Sequence, residues 1–119
     1  MNWYLTKIVF RIICGEGHHT AQFDEQLRLV LASGKENAFN KAQQLGRQEE
    51  ETFFNMMRQP VRWKFVNVSE IYKLGELIDG AELYSRIEEK DDAGIYMDIV
   101  NKKAYGIIHS DSHELLRLV

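Results

Sequence analysis

The sequence predicts an α+β fold: an antiparallel sheet of about four strands with one long helix packed on one face, in the chain order β-β-α-β-β-α. Three observations carry this expectation. Trp3–Cys14 and Val61–Leu74 are long runs of β-branched and aromatic residues. Thr20–Ala32 alternates polar and apolar with period two. Between the strand pair and Val61, apolar residues recur at helical spacing.

In Trp3–Cys14, Tyr4, Ile8, Phe10 and Ile12 fall on one face; Trp3, Leu5, Val9 and Ile13 fall on the other, with Lys7 and Arg11 between them. Apolar residues on both sides mark a central strand, or one covered by a partner. Gly15-Glu16-Gly17 supplies the turn, and Thr20–Ala32 returns antiparallel. There, Phe23, Leu27, Leu29 and Leu31 are expected inside, and Gln22, Asp24, Gln26 and Arg28 on a wet face.

Ser33-Gly34-Lys35-Glu36 has the spacing of a capping box. The helix it opens carries Ala38, Phe39, Ala42, Leu45 and Gly46 on one stripe, and the spacing continues to Phe53 and Met56 before Gln59-Pro60 ends it. Gly46 in mid-helix costs about 1 kcal/mol against Ala, which points to close packing on the sheet. Glu49 lies on this stripe: either a buried acid with a raised pKa or, more simply, a rim residue where the helix leaves the sheet. In Val61–Leu74, Val61, Trp63 and Phe65 share one face and Val66 and Val68 take over on the other, so a bulge near Asn67 is expected to bring both apolar sets to the core. Gly75–Gly80 reads as a turn and Ala81–Glu88 as a fourth strand. Asp91 or Asp92 caps a second helix through Ile95, Tyr96, Ile99 and Val100, with a hairpin over 94–108 as the competing reading.

Composition narrows the function classes. The 119 residues suit one domain, a core over 1–90 with a helical extension over 91–119, and 45% hydrophobic content excludes a disordered chain. A net charge of −3 argues against retention on nucleic acid by bulk charge. Residues 1–80 balance ten basic against ten acidic side chains, so the deficit belongs to the last third of the chain. One Cys provides no disulfide framework, no run is apolar enough to span a bilayer, and no signal peptide is read at the N-terminus. These features make a cytoplasmic location the expectation.

Several patterns could carry chemistry. In Asp79-Gly80-Ala81-Glu82-Leu83-Tyr84-Ser85-Arg86, alternation places Glu82, Tyr84 and Arg86 in one row, able to grip a small polar ligand or a partner's backbone. Trp63 and Tyr72 are expected nearby. The simpler account is a solvated row of cross-strand ion pairs. His109, Asp111 and His113, with His18 and His19 of the first turn, are weak candidates for a transition-metal site. Arg62-Trp63-Lys64-Phe65 interleaves bases with aromatics, but alternation sets the two on opposite faces.

Together Trp63–Tyr72, the Asp79-Gly80-x-Glu82-x-Tyr84-Ser85-Arg86 signature and the opening strand–strand–helix resemble an uncharacterised family of small bacterial proteins, a domain of unknown function, over roughly residues 3–90. The resemblance implies a bacterial cytosolic protein and no particular activity. The leading expectation is a non-catalytic binding module without a cofactor, homodimeric through its sheet, with a protein or small polar ligand as partner. A metal-dependent or hydrolytic enzyme using the histidine and carboxylate groups is the alternative, and nucleic-acid binding a second one.

Overall fold

A computed structural model describes residues 1–109. They fall into two compact units divided after Ser85. The first holds β1 (Asn2–Cys14), β2 (Gln22–Ala32), α1 (Lys35–Gln48), β3 (Glu51–Phe54) and β4 (Pro60–Lys73); the second holds α2 (Ala93–His109). The four strands make one antiparallel sheet in the order β2-β1-β4-β3, and the expected element order is the observed one.

β1 lies inside the sheet, beside β4, and carries apolar side chains on both faces. Tyr4, Ile8 and Phe10 point to the face that α1 covers and are buried there with Val30, Ala32 and Val68. Ala38 and Ala42 bring α1 close to them, with Phe39 and Leu45 packed at the margin. Gly46 completes the approach: a Cβ there would collide with the Phe65 ring and sit 3.1 Å from Ile8. The absence of a side chain lets helix and sheet touch.

β4 satisfies the expected parity change with two irregularities. Its register against β1 shifts between Lys7 and Ile8 and again between Val9 and Phe10. Phe65 pairs with Phe10 and Val68 with Ile8, so both reach the helix side, whereas Val66 is left exposed. The Asn67 side chain bridges the irregular stretch by accepting from the Val68 N–H at 2.8 Å and from the Gln43 amide of α1 at 3.0 Å.

Four expectations need correction. α1 ends at Gln48, with Glu49 as its C-cap, and does not run on through Met56. Three successive carboxylates at 49–51 oppose the negative end of the helix dipole, and Thr52-Phe53-Phe54 prefers extended backbone. Those residues form β3, where Phe53 stacks on Trp63 at 5.8 Å. Second, the cap of α1 is Gly34, not Ser33, and no side chain caps it; Asn37 instead reaches back to accept from the Ser33 N–H at 3.3 Å.

Third, Ala81–Glu88 is not a strand. Asp79-Gly80 does form the expected turn, with Gly80 at φ +83 and the Ala81 N–H donating to the Ile78 C=O. Fourth, β2 is turned over relative to its expected faces. Its register places Asp24, Gln26, Arg28 and Val30 on the helix side, opposite Phe10, Ile8, Thr6 and Tyr4, and Phe23, Leu27 and Leu29 on the other.

In the second unit Asp92 caps α2, its Oδ1 accepting from the Ile95 N–H at 3.0 Å. The helix reading of 94–108 is therefore the observed one. No helix among the described residues is long and apolar enough to cross a membrane.

Candidate binding surfaces

The sheet face away from α1 is the first of two candidate surfaces in the first unit. Cross-strand pairing lays out its rows: Leu29, Leu5 and Tyr72 side by side, then Leu27, Lys7 and Glu70. Phe23, Leu27 and Leu29 are 56, 53 and 50% exposed, although a strand in water usually turns such residues inward. Leu5 is buried.

A polar network stands in this apolar field. Lys7 Nζ meets Glu70 Oε2 at 2.5 Å, and the Tyr72 hydroxyl donates to Glu70 Oε1 at 2.6 Å. The chain then turns back at Asp79-Gly80, and the Tyr84 ring stands edge-on to Tyr72, centroids 5.2 Å apart. The hydrogen bond to Glu70, with desolvation added, pushes the Tyr72 phenol up to about 12. The same carboxylate raises the Lys7 ammonium, chiefly by hydrogen bonding.

The second surface is an open cleft of about 430 Å³ where the sheet runs on past the end of α1. Phe10, Trp63 and Phe53 supply its apolar lining, and Gln26 and Glu49 its polar wall. Arg28 Nη1 and Nη2 donate to both oxygens of Glu49 at 2.6 and 2.7 Å, and Nη1 also donates to Gln26 at 3.0 Å. The Trp63 indole N–H donates to Asp24 across β1 at 3.1 Å. The Arg28 hydrogen bond holds the Glu49 carboxyl below its ordinary 4.5, which corrects the buried-acid alternative. Because this pKa is depressed in the folded chain, the pair contributes above 4.5 and is lost as pH falls through the lowered value.

Of the five residues expected to form one site, Tyr72 and Tyr84 are brought together and Trp63 is not: it lies on the helix side of the sheet. Glu82 is exposed on the returning segment. Arg86 belongs to the second unit, where it pairs with Glu88 at 2.6 Å, and Lys90 meets the other oxygen of Glu88 at 3.0 Å. Arg62 and Lys64 are exposed on the face opposite Trp63 and Phe65.

The histidines show no shared geometry. His19 bridges the first turn: its Nδ1 lies 2.8 Å from the Thr20 C=O, and its Nε2 accepts from the Cys14 N–H at 3.0 Å. His18 lies 3.3 Å from the Glu16 carboxylate. His109, in α2, packs on Tyr105, centroids 4.0 Å apart. Asp111 and His113 lie outside the described residues. Among the described residues, no three His, Cys, Asp or Glu side chains gather to hold a metal.

Lys7, Glu70, Asp24 and Arg28 were not singled out by sequence as site residues. Lys7 and Arg28 each interrupt an alternating pattern. Nothing local, however, gives the pairing of Lys7 with a carboxylate on β4, across most of the first unit in sequence.

No curated protein and no solved structure matches the chain. A family model described as a domain of unknown function matches residues 3–85, which take in β1 from its second residue, the other three strands, α1 and the segment that carries Tyr84 against Tyr72. The match spans well over half of the chain and ends where the first compact unit ends, and on that ground the protein belongs to the DUF4288 family of domains of unknown function.

Proposed function

We propose that the protein is a bacterial cytosolic binding module without catalytic activity, working as a homodimer assembled through its sheet. The observation that supports this most is the second face of β1 and β2. Phe23, Leu27 and Leu29 stand at least half exposed along one face of an outer strand, beside Trp3 and around a fixed Lys7–Glu70–Tyr72 network. Scattered surface leucines need no explanation; a row of large apolar side chains on one strand face marks a contact surface.

In this reading the apolar row of the outer strand supplies affinity, and the Lys7–Glu70–Tyr72 network fixes the strands behind it. Tyr72 and Tyr84 form the polar end of the surface, with Glu82 beside them in the Asp79–Arg86 signature. The Trp63 cleft, and separately Arg86, serve a small polar ligand or a partner's backbone.

Sedimentation velocity at micromolar concentration tests the assembly. A species of twice the chain mass is expected, and Leu27→Glu with Leu29→Glu should return it to the monomer with an unchanged circular dichroism spectrum. A monomer in the unsubstituted protein overturns the proposal.

A further inference from the structure

The outer edge of β2 has a defined hydrogen-bonding pattern. The Leu74 N–H donates to the Trp3 C=O at 2.9 Å and the Gly15 N–H to the Pro60 C=O at 2.8 Å. Odd-numbered residues of β1 therefore turn their backbone groups toward β4, and even-numbered ones toward β2. Even residues of β1 pair with even residues of β2, so the odd residues Phe23, Glu25, Leu27, Leu29 and Leu31 aim their N–H and C=O groups off the sheet. Two side chains agree with this. The Thr6 hydroxyl donates to the Arg28 C=O, which faces inward, and Lys41 Nζ donates to the Leu31 C=O, which faces outward.

Among the described residues no strand pairs with this edge. Lys41 closes it at Leu31, leaving a ladder from Phe23 to Leu29 with both groups of each odd residue available. That stretch is centred on Gln26.

Resting on the homodimeric reading above, we infer that two copies of the chain join edge to edge through β2, antiparallel and centred on Gln26, so that two four-stranded sheets become one. In that register Phe23 pairs with Leu29 of the other copy and Glu25 with Leu27, using the available ladder and leaving the Lys41-capped carbonyl out. The helix-side faces place Asp24 opposite Arg28 twice, in the closely spaced non-hydrogen-bonded positions where cross-strand charges act most strongly. Moving the centre to Leu27 loses both charge pairs and runs into the capped carbonyl. Moving it one residue further, to Arg28, sets Arg28 against Arg28. On the other face Phe23 stands beside Leu29 of the other copy, so that each shields part of the other's exposed apolar surface.

Cysteine cross-linking in a Cys14→Ser background reads the register. Residues facing each other at a non-hydrogen-bonded position have Cα atoms about 4.5 Å apart, within disulfide reach, whereas diagonal neighbours exceed about 7 Å. Gln26→Cys should therefore give a disulfide-linked dimer under mild oxidation, and Leu27→Cys and Leu29→Cys should not. Glu25→Pro removes an outward N–H and should yield a folded monomer, since the inward ladder to β1 is untouched.

Cross-linking through Leu27→Cys in place of Gln26→Cys, in a protein that still sediments as a dimer, overturns the register and leaves the homodimer standing. A folded Glu25→Pro variant that remains dimeric overturns edge pairing altogether. A monomeric parent protein overturns the homodimeric reading and this inference with it.

Discussion

Single side chains set the chemistry of the two surfaces through partners far away in sequence. Tyr72 is the clearest case, since its phenol donates to a carboxylate already engaged by Lys7. In an absorbance titration it is expected to stay protonated near pH 11, where an ordinary tyrosine has largely lost its proton. Glu70→Gln should bring it back toward 10, because the main cause of the raised value is that hydrogen bond. The sign for stability is set by the same shift: a phenol whose folded pKa is raised contributes fully below pH 10, and the contribution fades as pH climbs through about 12. Tyr72 itself stands out in the sequence as an aromatic on a strand face. Its partners do not, because register between β1 and β4 is set by two irregularities that no short-range pattern specifies.

Elements were legible where period and breaker agree, and misread where they conflict. The capped start of α2 and the irregular middle of β4 arise from Asp92 and from the parity change between Phe65 and Val68. β3 was hidden because Phe53 and Met56 happen to continue the helical spacing of Leu45. Phe53 actually stacks on Trp63, and Met56 lies in the exposed turn between β3 and β4. Polarity alone assigns the two faces of β2 the wrong way round. On β2 the buried residues are Val30 and Ala32, at one end of the strand, and the polar residues beyond are held on that face by Glu49 and Trp63. Gly46 supplies a test at this scale. Helix propensity alone would have Gly46→Ala stabilise by about 1 kcal/mol. The Phe65 ring allows no room for the methyl, so urea denaturation should instead show a loss of about 1–3 kcal/mol.

At the scale of the molecule, the division after Ser85 separates a sheet-and-helix body from a second unit built around α2. A fragment of residues 1–85 should fold by itself, giving a cooperative thermal transition and the near-ultraviolet signal of Trp3 and Trp63; an unstructured fragment would show that the sheet depends on the second unit. The architecture was readable because each long strand announces itself, and the allocation of strands was not, because Ala81–Glu88 has a strand's alternation yet joins no ladder, whereas the short β3 does. One last consequence concerns growth. β3, at the other rim of the sheet, is only four residues long and leads into a turn in which Asn55 Oδ1 accepts from the Met57 and Gln59 N–H groups. So short a rim offers little template for adding further strands. Beyond Trp63 the outer side of β4 pairs with no strand among the described residues, but its two irregularities break the even row of groups that an added strand would need. β2 is the one long regular rim, and growth through a single regular rim stops at a pair instead of running on as a fibre.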